Sequence, residues 1–451
     1  MGSPEDADIL TLARRILEYH PVCNHCLGRQ FAWLSTETSN EQRGLSLKLA
    51  LSMMADKDIR AGRRDSGLQL VTLLADNGMF GPARALAERN SIDLPPEKIC
   101  SLCSVDNDSL FDRLAELAKR AKAETDSIEF GTFLVGSIPN PVLLEREDEI
   151  RSGLKIMHGE TLKADINREL GKHLQRIIDK PVEFDHPDIV IIYDMKGDRV
   201  KVRINPIFIA GRYRKLARGI PQSRWDCKSC RGKGCDECGG TGRKYPDSIS
   251  EYIGIPAQDL AKGTKFKFHA AGREDIDVRM LGSGRPFVIE VSEPRVRTPD
   301  LKKIEKRIKK ESSKKLEVLD LEISTRKRAQ ALKDEASENV KDYEATIRTE
   351  QDVSQEALTV VSDGFRGLDI TQRTPTRVAH RRSDLTRTKR IFEMKLKKIG
   401  SNTVKGFFKV QGGTYVKELV SGDNGRTRPS VSERIDTACD CVELDVLEIH
   451  G

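Results

Sequence analysis

Gly272-Arg273-Glu274-Asp275-Ile276-Asp277-Val278-Arg279 is the stretch whose reading decides the fold of this chain. Alternating Lys265-Phe266-Lys267-Phe268-His269 before it reads as a strand. A turn at Gly282-Ser283-Gly284-Arg285-Pro286 follows, and then an apolar strand, Phe287-Val288-Ile289-Glu290-Val291. A short charged loop is thus suspended between strands. Rigid sheets carry catalytic groups on such loops, yet solvated charged loops are common on any surface. Composition alone leaves both readings open.

Working outward, 451 residues suffice for two or three domains, each with its own core. Charged residues make up 33% and apolar ones 37%, the balance of a chain with a large charged surface. No apolar run approaches the roughly 20 residues that span a bilayer. Met1-Gly2-Ser3-Pro4-Glu5-Asp6 has no signal-peptide character. A cytoplasmic protein is expected. The net charge of +7 permits a polyanionic partner, so the placement of charge matters more than its sum.

Of ten cysteines, eight form Cys-x-x-Cys pairs: Cys23/Cys26, Cys100/Cys103, Cys227/Cys230 and Cys235/Cys238. In a reducing compartment such pairs point to metal or redox chemistry. The first two hooks lie between helical stretches and suit one tetrahedral Cys₄ zinc site; a redox pair and unrelated thiols are the alternatives. The second two abut as Cys-x-x-Cys-x-Gly-x-Gly repeats, the stronger zinc signal, with glycines that let backbone amides approach sulfur. Four thiolates leave no open coordination position, so either zinc would be structural. Cys439 and Cys441 sit in an alternating strand and read as small core or surface residues.

Residues 1–127 read as a helical zinc-binding segment. From about 128 the pattern becomes mixed, with strands at Phe130–Gly136, Pro187–Tyr193 and Val200–Ile204 and a helix near 160–178. This order resembles a THUMP domain, an RNA-binding module, and is assigned to 128–225 with its basic end Arg212-Tyr213-Arg214-Lys215. Residues 226–245 form the Cys₄ knuckle. It is similar to the zinc region of DnaJ-type chaperones but shorter; a chaperone or adaptor, or a zinc-stabilised THUMP-type RNA-binding protein, without catalysis is the rival reading.

Residues 246–451 read as one α+β domain. A basic helix is expected at 300–315, on a surface or against phosphates, with strands at 316–323 and 340–347. Arg373 to Arg390 holds seven Lys/Arg residues and His380 against one acid, Asp384. Such a segment suits a phosphate clamp, and Arg377, His380, Arg381, Arg382 and Arg387 are expected to face an RNA backbone. Gln411–Val420 and a terminal strand, Cys441–Ile449, close the chain.

The loop's Gly-Arg-x-Asp-x-x-Val resembles the catalytic signature of pseudouridine synthases. Gly272–Phe287, Thr374–Arg382, Arg387–Ile391, Gly413–Pro429 and Glu443-Leu444-Asp445-Val446 together resemble the archaeal and eukaryotic tRNA pseudouridine-54/55 synthase family, in that family's order. The second cysteine cluster is similar to archaeal members. The resemblance implies a mixed or antiparallel sheet with an aspartate in a cleft. It implies Asp275 as catalytic aspartate and Tyr343 as the ring that stacks on the target base. Lys417, after Gly413-Thr414-Tyr415-Val416, matches the cation paired with the carboxylate, where many pseudouridine synthases carry Arg. Leu444 matches an apolar residue beneath the base. Arg273 and Tyr415 fall in the matching segments as RNA-binding candidates. Asp277 stands where other superfamily members often have Gly. The implied substrate is tRNA, with no organic cofactor and no obligate protein partner.

The residue types suit that chemistry. Turning uridine into its C-glycoside breaks a C–N bond and forms a C–C bond, with no redox change and no phosphate transfer. One ionised carboxylate serves as nucleophile or base. A neighbouring cation keeps it charged, and an aromatic ring holds an unstacked base.

Overall fold

The structure is a computed structural model describing residues 8–35, 37–335 and 339–450, with side chains except those of 333–335 and Arg381. The chain forms two compact units, Met1–Asn205 and Pro206–Gly451.

In the first unit, five helices (Ile9–Tyr19, Asn24–Arg29, Asn40–Arg60, Arg64–Asp76, Gly81–Arg89) precede a two-stranded ribbon, β1 (Ser104–Val105) and β2 (Asp108–Ser109). Asp8, Ser39 and Thr161 cap helices by accepting backbone N–H groups, satisfying donors that a helix start leaves open. A three-stranded sheet follows: β3 (Phe133–Ile138) pairs in parallel with β4 (Ile189–Asp194), which pairs antiparallel with β5 (Arg199–Ile204). Helices Pro141–Leu154 and Leu162–Ile178 cross between β3 and β4, as a parallel pair requires. A single apolar core runs from Ala13 through Met195. The helical segment and the THUMP-like segment therefore share one interior rather than folding around separate cores.

The second unit is built on a ten-stranded sheet. Its strands are β6 (Ile207–Lys215), β7 (Lys265–Ala270), β8 (Arg279–Ser292), β9 (Leu316–Ser324), β10 (Val340–Thr349), β11 (Leu368–Arg373), β12 (Thr386–Gly400), β13 (Thr403–Gln411), β14 (Thr427–Arg428) and β15 (Cys439–His450). The order is β14-β11-β12-β13-β10-β15-β8-β6-β9, with β7 on β8. Neighbours run antiparallel except β15 and β8, which meet in parallel at Asp445↔Arg279 and Val446↔Met280. Helices Ile249–Leu260, Leu301–Glu311 and Gln355–Phe365 pack on it through Ile253, Ala257, Ile304, Ile308, Leu358 and Phe365. The basic helix is a surface helix that buries only Ile304 and Ile308.

The boundary falls earlier than 225. Ile207–Lys215 hydrogen-bonds to β8 and β9 and so belongs to the large sheet. The physical reason is burial: Ile207, Phe208, Ile209, Ala210, Tyr213 and Lys215 are nearly inaccessible, as a central strand covered on both faces must be.

Candidate active site

The loop between β7 and β8 turns at Gly272, whose φ of +82° is in the region glycine adopts without a Cβ penalty. Its three carboxylates then diverge. Glu274 turns inward. Tyr213 Oη donates to Glu274 Oε1 at 2.9 Å, and Arg285 Nε lies 2.8 Å from Oε2, with both side chains of the ion pair 1% exposed. Gln222 Nε2 donates to Tyr213 Oη and to the Gly272 carbonyl, both at 3.0 Å. Arg285 Nη1 donates to the Ala271 carbonyl at 2.6 Å. Lys215 Nζ donates to the carbonyls of Asp275 (3.1 Å) and Ile276 (2.7 Å). Arg218 Nη1 binds those of Asp277 (2.8 Å) and Leu444 (2.7 Å). The backbone of the loop is thereby clamped by cations, and burial pulls the Lys215 ammonium down to about 8.

Asp275 turns outward into a cleft of about 440 Å³. Its Oδ2 accepts an ion pair from Arg377 Nη1 at 2.8 Å and lies 4.0 Å from Lys417 Nζ. Lys417 makes its short contact, 2.6 Å, with Asp277 Oδ2. Burial opposes the Asp277 charge, but Lys417 holds the carboxyl below the ordinary carboxylate range. Arg377 also grips Glu418, Nε to Oε1 at 2.6 Å. Burial opposes its charge as well, yet Glu418 and Asp275 hold its pKa above the ordinary value. Arg377 belongs to the short 3₁₀ helix Thr376–Arg381, and Lys417 and Glu418 to the helix Val416–Ser421. Gln372 ties that second helix to β11, accepting from Tyr415 N–H at 2.9 Å and donating to the Tyr415 carbonyl at 3.0 Å.

Tyr343, on β10, lines the same cleft with Leu444 and Val446 of β15, and burial pushes its phenol up to about 12. Tyr415 and Arg382 stand at the cleft too, joined by a 3.3 Å hydrogen bond from Arg382 Nη1 to Tyr415 Oη. Arg273 is exposed and lies over the Trp225 ring at 5.6 Å, where a second cavity of about 240 Å³ reaches Asp275, Asp277 and Lys417. His380 and Arg387 are exposed but outside the cleft lining; the Arg381 side chain lies outside the described residues.

The structure thus brings together Asp275, Tyr343, Lys417, Leu444, Tyr415, Arg273 and Arg382. Two expectations change. Arg377, expected among the backbone-facing residues, points at Asp275 because nearly buried Glu418 needs a cationic partner. The basic end of the THUMP-like assignment, Arg212–Lys215, belongs to β6 of the large sheet instead: Arg212 Nε donates to the Ser283 carbonyl of β8 at 2.7 Å, and Lys215 Nζ to carbonyls of the Asp275 loop. Sequence reading also missed Arg285, Gln222, Glu418 and Lys341. For Lys341 a signal was available: two residues before Tyr343 on a strand, it shares that residue's face.

Both cysteine sets gather. Within each, the sulfur atoms lie within 4.8 Å of one another, and Cys23–Cys103, Cys227–Cys235 and Cys235–Cys238 are 3.7, 3.9 and 3.7 Å apart. A zinc–sulfur bond of about 2.3 Å makes a tetrahedral edge of about 3.8 Å, so both sets fit zinc. Amides also aim at sulfur: Gly234 N–H at Cys230 and Gly242 N–H at Cys238, both 3.1 Å. Arg29 Nη1 reaches Cys26 at 3.5 Å.

Comparison with known proteins agrees with this layout. The model of the Pus10 C-terminal region matches residues 208–450, and that of the archaeal Pus10 THUMP domain matches 117–194. A protein of Methanothrix thermoacetophila named tRNA pseudouridine synthase Pus10 is 39% identical, over 99% of this chain and 95% of its own. One of the same name from Methanothermobacter marburgensis is 40% identical, over 95% of each. A solved Cbf5-Nop10-Gar1 complex covers 43% of the chain at 17% identity, with a TM-score of 0.28, too low to carry weight. The chain is a pseudouridine synthase, an isomerase with an α+β catalytic unit. It belongs to the Pus10 family, and the chaperone reading falls away. No described helix is long and apolar enough to cross a membrane.

Proposed function

We propose that the chain isomerises uridines 54 and 55 in the T loop of tRNA, with Asp275 as its catalytic carboxylate. The observation that carries this reading is the pairing of Asp275 with Arg377 at 2.8 Å on the wall of a cleft that Tyr343 shares. The cation favours the ionised carboxylate. Tyr343 offers a ring to the unstacked base, with Leu444 beneath it. When the C1′–N1 bond breaks, its electron pair goes to the base. The carboxylate meets the demand at the sugar or at C6, the base turns, C1′–C5 forms, and the proton lost from C5 is matched by one gained at N1. No organic cofactor enters that balance. Arg273, Tyr415, His380, Arg382 and Arg387 would hold the tRNA around the cleft, with the THUMP region as a second contact in a cytoplasmic enzyme.

Cys23/Cys26/Cys100/Cys103 and Cys227/Cys230/Cys235/Cys238 would each hold a structural zinc ion, stabilising the fold without touching the reaction. Elemental analysis should find close to two zinc atoms per chain; protein purified without chelator and free of zinc would refute this. The functional test is incubation with unmodified tRNA and no cofactor, using U54C and U55C transcripts alongside. Pseudouridine at the remaining position of each transcript supports the reading. Product at neither position, or product from an Asp275→Asn variant, overturns it.

A further inference from the structure

The cleft contains a cation that the mechanism above leaves idle. Lys341 lies on β10 two residues before Tyr343, lines the same cleft, and is 6% exposed. Among the described cations around the loop, buried Arg285 faces Glu274 and buried Lys215 caps two carbonyls, while the partly exposed Arg377 bridges Asp275 and Glu418. The backbone of Lys341 pairs with Val410 and Ile449 in the sheet, but its ammonium has neither a hydrogen bond nor an ion pair among the described residues. Its position is crowded on the inner side: a methyl group on Gly272 would come 3.1 Å from Arg285 Nη1 and 3.3 Å from Lys341 Nζ. Leaving an ammonium nearly buried and unpaired costs stability. On its other side Lys341 lines the Asp275 cleft.

We infer that Lys341 is a further catalytic residue, whose ammonium donates to a carbonyl oxygen of the target uracil as negative charge builds on the base. This rests on the reading that the target uridine enters the Asp275 cleft. The chemistry demands such a donor whichever way Asp275 acts. If the C1′–N1 bond breaks first, its electron pair leaves on N1 and spreads over O2 and O4 of a uracil anion. If the carboxylate first adds to C6, the displaced π electrons collect on O4 as an enolate. Either way an oxyanion forms and is consumed when C1′–C5 forms, so a fixed cation binds the intermediate more tightly than the starting uridine. That difference, and not binding itself, accelerates the step. A phosphate is the weaker candidate ligand, since backbone contacts belong on the exposed basic rim rather than beside the stacking tyrosine.

The groups around Lys341 set its titration. Burial and Arg285 of β8 pull the ammonium down to about 7, Lys389 of β12 adds to this, and Glu274 of the loop opposes it. The protonated donor is then lost as pH rises through about 7, within the working range of the assay.

The test measures single-turnover rates at saturating unmodified tRNA for wild type, Lys341→Met and Lys341→Gln, with tRNA affinity measured separately. The expected result is a rate about 100-fold lower in both variants, the usual cost of one oxyanion donor, with Kd within about threefold. Wild type should lose rate above pH 7, and Lys341→Gln should lack that limb while keeping any from Lys215, which titrates at about 8. A folded variant with unchanged rate overturns the inference. So does a variant that weakens tRNA binding more than tenfold while turning over normally, since that marks a phosphate contact. Should Lys341→Met fail to fold, a flat wild-type profile between pH 6 and 9 also overturns it. Wild-type protein that makes no pseudouridine would instead defeat the assignment of the cleft.

Discussion

Adjacent residues of one loop form two carboxylate–arginine pairs of the same length and opposite setting. Glu274–Arg285 and Asp275–Arg377 both close at 2.8 Å, but the first pair's side chains are 1% exposed and the second's about a third exposed. A sealed ion pair gives back in attraction what desolvation costs, and losing one partner strands a buried charge. A half-open pair costs little to hold, and its carboxylate remains within reach of a substrate. The contrast teaches how one polar loop can hold an anchor and an accessible carboxylate side by side. Glu274 ties its side chain to Tyr213, and Gln222, Lys215 and Arg218 hold the backbone from behind, while Asp275 faces the cleft with Arg377 as its partner.

The sharpest way to break this contrast is to neutralise each carboxylate in turn. Asp275→Asn should bring pseudouridine formation to the no-enzyme background, with the urea midpoint unmoved. Glu274→Gln should do the reverse in kind, lowering unfolding stability by about 3–5 kcal/mol, the cost of breaking a buried pair. What activity remains at low temperature should be that of the folded fraction. If the urea midpoint falls for Asp275→Asn and holds for Glu274→Gln, the two roles are exchanged.

The cations make a finer contrast. Arg377 touches Asp275 directly, while Lys417 is 4.0 Å from it and committed to Asp277. Arg377→Met should lower turnover by roughly 10- to 100-fold, the worth of a charged hydrogen bond. Lys417→Ala should cost roughly tenfold or less, in keeping with a partly solvated pair. Asp277→Asn, at a site whose side chain is 63% exposed, should cost about threefold or less. Single-turnover assays rank the three, and a larger loss from Lys417 than from Arg377 would return Lys417 to the place that the sequence assigned it.

Local patterns carried most of the architecture into the sequence. The alternation flanking the loop and the cysteine hooks are short-range and stand in the structure as read; the expected turn at Gly282–Pro286 is instead part of β8, Arg279–Ser292, which only shifts register against β6 between Tyr213 and Lys215. Long-range pairing was not legible. Nothing local shows that Ile207–Lys215 crosses to the large sheet, because a run buried on both faces looks alike in any α/β context. That error carried Tyr213 and Lys215 into the wrong unit and hid the clamp behind the loop. Partner choice was equally silent. Arg377 lies in a basic run, and its inward turn is decided by Glu418, 41 residues on. Lys341 was legible in part: its place two residues before Tyr343 on β10 puts both on one face, but nothing local shows that this lysine is buried.

The smallest expected effects lie on the basic rim, where the same open-versus-committed distinction separates arginines of one segment. Arg382 and Arg387 are exposed; among the described residues Arg382 has a 3.3 Å contact to Tyr415 and Arg387 a 3.5 Å contact to Thr374, and neither is in an ion pair. Arg377 spends its charge on Asp275 and Glu418. A phosphate contact releases counterions, so each one steepens the fall of affinity with salt. Arg382→Ala and Arg387→Ala should each weaken tRNA binding several-fold and flatten the slope of log K against log salt by about 1. Arg377→Met should leave that slope within error of wild type, because a guanidinium facing two carboxylates releases no counterion from RNA. Titrating tRNA at four salt concentrations measures all three slopes. If Arg377→Met flattens the slope as much as Arg382→Ala does, the guanidinium turns toward the RNA when tRNA binds, and Asp275 loses its direct partner in the complex.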